Sequence, residues 1–149
     1  MDKETFDKLA EALEIGQKAK LPLFSNSIEN VVISGLGGSG IGGKIATELM
    51  SEQLKVPVII NNDYSLPGFV NANTLVIISS FSGNTEETLE SLKMAQQKKA
   101  EIACITSGGR LAEIAKENNY TTLILPLAFS PRAMLTYSVV QQFFLLNHY

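Results

Sequence analysis

The hydrophobic residues of this chain follow two patterns, one with helical spacing and one of short continuous runs. Helical spacing begins near the N-terminus, where Phe6, Leu9 and Leu13 recur at the intervals of an amphipathic helix. The continuous runs are rich in β-branched residues and end at glycine or polar residues, which is typical of buried strands. Together the patterns predict strands over 30–36, 56–62, 74–80, 100–107 and 121–127, and helices over 4–19, 40–54, 85–99, 109–118 and 132–149.

Strands and helices alternate along the chain, and this order indicates the class of fold. Near-continuous apolar strands joined by helices are typical of a parallel sheet covered on both faces. We therefore expect an α/β, flavodoxin-like three-layer sandwich with a five-stranded parallel sheet. One domain is expected over 1–149, with an N-terminal helix and lead-in (1–28), a core sheet (29–130) and a C-terminal helix (131–149). Ligands of such folds bind at the carboxyl ends of the strands, near the topological switch point.

Two of the predicted helices carry conspicuous apolar surfaces. One face of the helix over 40–54 is apolar, with Ile41, Ile45, Leu49 and Met50. The last helix is strongly apolar over residues 139–149, and such a surface is not normally left exposed. We therefore expect that this last helix packs on a second domain or on a partner chain.

Composition and charge exclude several classes of protein. With 149 residues, of which 45% are hydrophobic, the chain is long enough to bury a core. A net charge of −3 does not suggest a basic face, so no nucleic acid is expected as a partner. No apolar run approaches the ~20 residues of a membrane span, and the charged N-terminus does not resemble a secretory signal. The single cysteine, Cys104, excludes an internal disulfide and is interpreted as a small core residue. A cytoplasmic protein without membrane contact is therefore expected.

The stretch GLGGSGIGG, residues 35–43, joins the first strand to the next helix and is rich in glycine. Glycine lets the backbone come close to a ligand, and the N-terminus of a helix offers free N–H groups to an anion. One interpretation is a dinucleotide site, because Gly35, Gly37 and Gly40 fit G-x-G-x-x-G and Asp63 follows the second strand. Close packing of the helix on the strand is another interpretation, although the stretch holds more glycine than packing needs.

The stretch SSFSGNTEET, residues 79–88, follows the most strand-like run of the chain and leads into a helix. Ser80, Ser82 and Thr85 are spaced so that their hydroxyl groups can point to one side of a loop around the helix N-terminus. Together with loop N–H groups they can bind the oxygens of a phosphate monoester. Helix capping would explain one of these hydroxyl groups but not three. A bound phosphate would repel the two glutamates of the first helical turn, so we expect them to point away from it or to contact sugar hydroxyl groups.

These two stretches, together with SPRAMLTY at residues 130–137, resemble the sugar isomerase (SIS) domain superfamily. Within it they look like the bifunctional phosphoglucose/phosphomannose isomerases. The resemblance implies a domain of an aldose–ketose isomerase that interconverts glucose 6-phosphate or mannose 6-phosphate with fructose 6-phosphate through a cis-enediol. No cofactor and no metal are expected. Lys44 and Thr136 depart from the pattern, since relatives often have an acidic residue and a glycine at these positions.

The resemblance also implies roles for individual residues of the second stretch. Ser80, Ser82 and Thr85 match hydroxyl groups that bind the phosphate of the substrate. Gly83 and Asn84 lie between them in the same loop, and we assign all five residues to phosphate binding.

Further roles fall on the first stretch and on the last helix. Gly38 and Ser39 match residues that contact the sugar phosphate, and with the adjacent Gly37 they are assigned to substrate binding. Arg132 matches an arginine that stabilises the enediolate, and it is the one catalytic residue that we assign. A fixed guanidinium would offset the negative charge of that intermediate. An arginine at a helix N-terminus opposes the helix dipole, which favours a role in a site.

The resemblance leaves the proton-transferring groups unassigned. The isomerases carry two SIS domains, and their catalytic glutamate, histidine and lysine lie beyond the first. His148 is the only histidine here and matches no motif of the family. A non-catalytic domain that senses a sugar phosphate therefore stays open as an alternative, as does an NAD-binding domain. Expected partners are a sugar phosphate and either a second copy in a homodimer or a second SIS domain.

Overall fold

Five strands and five helices alternate in the described part of the chain, in the order expected from the sequence. The computed structural model describes residues 2–127 and 131–149, without the side chains of Pro131 and Arg132. The strands are β1 (Asn30–Ser34), β2 (Val58–Asn61), β3 (Thr74–Ser79), β4 (Glu101–Thr106) and β5 (Thr121–Ile124). The helices are α1 (Lys3–Lys18), α2 (Gly38–Leu49), α3 (Glu86–Gln97), α4 (Gly109–Glu117) and α5 (Pro131–His148). All ten predicted elements are confirmed, although several ends are shifted.

Helix α2 differs most from its predicted bounds. It begins at Gly38, immediately after Gly37, whose φ of 53° is a conformation that glycine adopts without steric cost. The helix ends at Leu49 rather than at residue 54. The chain then forms a turn in which the N–H of Leu54 donates to the carbonyl oxygen of Met50 at 3.0 Å. The early start brings the first turn of α2 directly to the end of β1.

The five strands form one parallel sheet in the order β2-β1-β3-β4-β5. Strand β1 lies between β2 and β3, and its last residue, Ser34, lies opposite Asn61 of β2 and Ile78 of β3. The chain leaves β1 towards β2 and then returns to β3 on the other side. The order therefore reverses between β1 and β3, and this reversal is the topological switch point where ligands bind in such sheets.

Side chains alternate between the two faces of the sheet and form two cores. Val31, Ile33 and Ile77 face one core, which is completed by residues of α1, α2 and α5. Val32 and Ile78 face the other, which is completed by residues of α3, α4 and the segment around residues 66–70. Each fully buried side chain of this kind contributes about 1.5–3 kcal/mol to folding. The two cores confirm the expected three-layer sandwich.

The buried face of α2 is made of small residues, and the predicted apolar face is largely on the surface. Ile41 and Leu49 are 54% and 67% exposed, so these two residues of the apolar face do not belong to the core. Gly42 and Gly43 lie against α5 instead. A Cβ added at Gly42 would lie 2.3 Å from the Oγ of Ser138. Glycine thus allows α2 and α5 to pack at very short range.

Most of the apolar surface of α5 is buried within the chain. Tyr137 and Leu145 are completely buried, whereas Phe143 is 41% exposed. The hydroxyl of Tyr137 donates to Oε2 of Glu11 at 2.5 Å, which ties α5 to α1. Because α1 and α2 already cover most of the apolar side chains of α5, the apolar composition of this helix does not require the expected partner. In the described ranges no helix is both long and apolar enough to cross a membrane.

Candidate functional site

A cleft of about 230 Å³ opens at the switch point, above the carboxyl ends of β1 and β3. Its walls are the first turn of α2, the serine loop and helix α5; we call residues 80–85 the serine loop. Phe81, Ile105 and Leu125 contribute apolar surface to the lining. The polar lining consists of Gly38, Ser39, Ser79, Ser80, Ser82, Thr85 and Ser138. The structure thus brings five of the sequence-predicted site residues into one cavity.

Three hydroxyl groups of the serine loop are held by short-range hydrogen bonds. The Oγ of Ser80 accepts from the N–H of Gly83 at 3.2 Å and lies 2.9 Å from Oγ1 of Thr85. The Oγ of Ser82 accepts from the N–H of Asn84 at 3.2 Å. The Ser80–Thr85 pair needs only one of its two protons for its own bond, and Ser82 uses its oxygen only as an acceptor. Two protons are therefore left for an acceptor in the cleft.

Helix α3 begins at the edge of the cleft without a side-chain cap. Thr85 is its N-cap residue, but its hydroxyl forms no capping hydrogen bond and pairs with Ser80 instead. The first intrahelical bond runs from the N–H of Leu89 to the carbonyl of Thr85 at 3.0 Å. The N–H groups of the preceding turn have no helical acceptor and lie at the positive end of the helix dipole. This helix end can therefore accept an anion.

The two glutamates of the first turn of α3 do not line the cleft. Glu86 is exposed and Glu87 is half-buried. Glu87 interacts with Tyr64 on the loop after β2, and burial followed by the charges of Glu86 and Glu87 raises the pKa of Tyr64. An anion in the cleft would therefore not meet these carboxylates among its lining residues.

The six glycines of residues 35–43 divide into a packed group and an open group. A Cβ at Gly35 would lie 3.0 Å from the carbonyl oxygen of Ser79, and one at Gly40 would lie 2.8 Å from that of Gly35. These two glycines, like the pair that contacts α5, are explained by close packing. A Cβ at Gly37 or Gly38 would meet no atom within 4 Å. Close packing thus accounts for four of the six glycines, and the two that packing does not need form an open backbone at the start of α2.

Gly83 and Asn84 contact helix α4 and do not line the cleft. The Oδ1 of Asn84 accepts from the N–H of Arg110 at 2.9 Å, and the carbonyl of Gly83 accepts from the N–H of Leu111 at 2.9 Å. Gly83 has a φ of 74°, and a Cβ there would lie 1.9 Å from the carbonyl oxygen of Gly108. The N-cap of α4, Gly108, offers no side chain, so the serine loop supplies the acceptors for this helix start. Both residues therefore fix the position of the serine loop on α4.

Helix α5 supplies lining residues that the sequence interpretation missed, Met134 and Ser138. They are one helical turn apart, and Gln142 follows Ser138 by another turn. Ser138 and Gln142 are 4% and 0% exposed, so polar side chains are buried on a helix that is rich in apolar residues. The helical spacing of Ser138 and Gln142 among apolar residues was the signal in the sequence that could have identified them. Arg132 belongs to the first turn of the same helix, but its side chain lies outside the described residues.

The described residues that line the cleft carry no carboxylate, amine or imidazole. Asp63, the acidic residue of the dinucleotide interpretation, does not line it. Within residues 2–127 and 131–149 no cluster of three or more histidine, cysteine or acidic residues suits a metal ion. The described lining offers a ligand hydroxyl groups, backbone N–H groups and the dipoles of two helix N-termini. These groups suit the binding of an anion.

Comparison with known proteins places these features in a family. The sequence profile of the SIS domain family matches residues 24–149. The bifunctional phosphoglucose/phosphomannose isomerase of Caldicellulosiruptor bescii is 43% identical over 134 residues, which are 90% of this chain and 40% of the relative. The D-glucosamine-6-phosphate 4-epimerase of Sulfolobus acidocaldarius is 39% identical over 110 residues, 73% of this chain and 34% of the relative. The chain thus spans 34–40% of the length of these two relatives.

Solved structures share the fold at lower sequence identity. The C-terminal domain of glucosamine-fructose-6-phosphate aminotransferase from Francisella tularensis superposes with a TM-score of 0.67 at 16% identity. The superposition covers 98% of this chain and 47% of that structure. The sheet order and the layers described above are therefore those of a known architecture.

Proposed function

Because the chain belongs to the SIS domain family, we propose that it is the phosphosugar-binding domain of an aldose–ketose isomerase. The reaction is the interconversion of glucose 6-phosphate or mannose 6-phosphate with fructose 6-phosphate through a cis-enediol. The observation that carries the proposal is the cleft, in which hydroxyl groups and two helix N-termini meet at the switch point. The identity to a bifunctional phosphoglucose/phosphomannose isomerase supports this reaction.

The phosphate of the substrate is held by the serine loop and the start of α3. Ser82 donates from its hydroxyl group, the Ser80–Thr85 pair donates the one proton that its own bond does not use, and the N–H groups of the first turn of α3 add further donors. Gly83 and Asn84 complete the phosphate-binding loop, and any direct contact from Asn84 would use its NH₂ group because its Oδ1 is engaged by α4. Each hydrogen bond to the charged ester contributes about 1.5–3 kcal/mol.

The sugar lies against the start of α2 and the N-terminal end of α5. Gly37 and Gly38 let the ligand approach the backbone, and Ser39 contributes to the same wall. Arg132 stabilises the enediolate as the proton moves between C1 and C2 of the sugar. The described lining offers no base for that proton, and in this proposal the base belongs to a second copy of the chain or to a second SIS domain.

A second copy of the chain or a second SIS domain would supply such groups. Apolar side chains on the outer surfaces of α1 and α2 support such a partner, since Phe6, Ile41 and Leu49 are 61%, 54% and 67% exposed. Light scattering at micromolar concentration tests the homodimer. The proposed setting is the cytoplasm, where sugar phosphates are metabolised.

Calorimetric titration with glucose 6-phosphate and fructose 6-phosphate tests the binding function. Ser82→Ala should weaken binding by about 1–3 kcal/mol, because a hydrogen bond to a charged group is lost. Ser51→Ala is the matched control, since Ser51 is exposed in the turn after α2 and does not line the cleft. Equal affinity of the wild type and Ser82→Ala would remove Ser82 from the site, and absence of binding by the wild type would refute the function.

A coupled assay for formation of fructose 6-phosphate from glucose 6-phosphate separates catalysis from binding alone. Activity that appears only when the chain is longer or has a partner would support the isomerase domain. Sugar-phosphate binding without turnover in any assembly would favour a sensor or regulator instead.

A further inference from the structure

Two buried polar side chains on α5, Ser138 and Gln142, are left without a role by the proposed function. They lie one helical turn apart and are 4% and 0% exposed. The Nε2 of Gln142 donates to the carbonyl oxygen of Ser39 at 3.0 Å and to the Oγ of Ser138 at 3.2 Å. Ser39 and Ser138 both line the cleft, so Gln142 stands behind the wall that they form.

The bond to Ser39 fixes which way the amide of Gln142 faces. A backbone carbonyl can only accept, so the atom beside it must be the NH₂ group and not Oε1. Oε1 then lies on the side of Gly43, where it is buried and has no hydrogen-bond partner among the described residues. The reverse orientation would place two acceptors against each other at the carbonyl of Ser39. The hydrogen bond from Gln142 to Ser39 thus orients the wall of the cleft, and it does so at the free-energy cost of leaving Oε1 unpaired.

The orientation of Gln142 in turn determines what Ser138 can do. Because Gln142 donates to Ser138, the Oγ of Ser138 is an acceptor in that bond and keeps its proton free. A serine or threonine in a helix often donates back to the carbonyl four residues earlier, as Thr47 does to Gly43 at 2.8 Å. Ser138 makes no such bond, and its proton has no acceptor in the described part of the chain. A buried donor that lines a cleft and lacks an acceptor is prepared for a ligand.

We propose that Ser138 is a substrate-contacting residue that donates a hydrogen bond to an oxygen of the sugar, and that Gln142 is its positioning residue. The inference rests on the proposed function, because it needs a sugar phosphate in the cleft. The phosphate is assigned to the serine loop and α3, on the side of β3. Ser138 shares a hydrogen-bond partner with Ser39 of α2, on the side of β1, and so faces the sugar.

The test compares two probes, fructose 6-phosphate and inorganic phosphate, by NMR titration of the 149-residue protein. Ser138→Ala should bind fructose 6-phosphate about 3- to 10-fold more weakly, the loss expected for one neutral hydrogen bond. Its affinity for inorganic phosphate should stay that of the wild type. Ser82→Ala should weaken the binding of both probes, and Ser51→Ala should change neither. Ser138→Cys keeps the size of the side chain with a weaker donor, and should lie between the wild type and Ser138→Ala.

Gln142→Met tests the positioning role, because it keeps the length of the side chain and removes both donors. Like Ser138→Ala, it should lower affinity for fructose 6-phosphate relative to inorganic phosphate. In the Ser138→Ala background its further effect should be smaller, since coupled residues are not additive. An additive effect, or an equal loss for both probes, would mean that Gln142 only supports the fold.

The outcomes separate this inference from the proposed function. If the wild type binds neither probe, the proposed function fails and this inference fails with it. If the wild type binds fructose 6-phosphate but Ser138→Ala loses no affinity, only this inference is overturned. If Ser138→Ala loses affinity for inorganic phosphate as well, Ser138 contacts the phosphate or supports the fold, and the sugar contact is refuted.

Discussion

Asn84 offers a direct test of how the serine loop is held, because its two interpretations predict different measurements. As a phosphate ligand, it would affect affinity and leave stability unchanged. In the structure its Oδ1 accepts from the N–H of Arg110 in the first turn of α4, at 2.9 Å. As a cap supplied to α4 by a distant loop, it would affect stability.

The magnitude follows from the exposure of that bond. The contact is exposed, so water can partly replace the lost acceptor. Replacing a capping asparagine by alanine costs about 0.5–2 kcal/mol, and we expect about 1 kcal/mol here. For a chain of this size that loss lowers Tm by about 2–4 °C. Asn84→Asp keeps the acceptor and adds a negative charge at a helix N-terminus, so its stability should equal or exceed that of the wild type.

Urea unfolding followed by circular dichroism measures the free energy of unfolding of both variants. Asn147→Ala is the matched control, because Asn147 is exposed on the last turn of α5 and makes no side-chain hydrogen bond in the described structure. It should be as stable as the wild type. Phosphate titration of the folded Asn84→Asp variant should show weaker binding, since the added charge lies in the phosphate loop.

Two results would contradict the capping argument for Asn84. One is Asn84→Ala with an unchanged free energy of unfolding. The other is Asn84→Asp that is destabilised as much as Asn84→Ala, because the acceptor would then not matter.

Two further predictions concern pH. Burial, and then the hydrogen bond and charge of Glu11, raise the pKa of Tyr137 above its ordinary value of 10.0. A raised pKa favours the protonated folded state, so this contribution to stability is complete below about pH 10 and is lost as the pH rises beyond it. In urea unfolding at alkaline pH, the free energy of unfolding of Tyr137→Phe should therefore decline less steeply with pH than that of the wild type. An equally steep decline would contradict this assignment. The described cleft lining has no titratable side chain, so the affinity for a sugar phosphate should rise with pH only around the second pKa of the phosphate ester, about 6. Calorimetric titration at several pH values measures this dependence, and an additional pKa of the protein between pH 5 and 8 would refute it.

The order and type of the elements could be predicted from the sequence because each buried strand is a continuous apolar run between turn residues. The meeting of the two candidate loops followed as well. Parallel strands end at the same edge, and β1 and β3 are neighbours in the sheet. These inferences depend on local pattern and on rules of topology, and both are visible along the chain.

The packing of α2 could not be predicted in the same way. Hydrophobicity marks Ile41 and Leu49 as buried, yet the buried face consists of glycine and alanine. What decides the orientation is how closely α5 can approach, and that distance is set by residues about 100 positions away. Ser138 and Gln142 were missed for the same reason, since Gln142 donates to the carbonyl oxygen of Ser39 and Ser138 lines the same cleft as Ser39, although these residues lie in distant parts of the chain.

The assignment of Asn84 shows a related difficulty within a single loop. Its neighbours in sequence suggested a phosphate ligand, because all hydroxyl and amide groups of a loop can in principle turn inward. The structure uses Asn84 for the start of α4, while Thr85 leaves its own helix uncapped and turns to Ser80. Which donor serves a ligand and which serves a neighbouring helix is decided by elements that come later in the chain.

The close contact of α2 with α5 has a mechanical consequence for the cleft. Gly42 and Gly43 allow α2 and α5 to pack without a gap, so the two walls of the cleft that these helices form move together. The third wall is fastened to α4 on the opposite side of the sheet. Widening or narrowing of the cavity must therefore come from movement of the serine loop relative to the α2–α5 pair, and we expect the wall formed by that pair to keep its shape when a ligand binds.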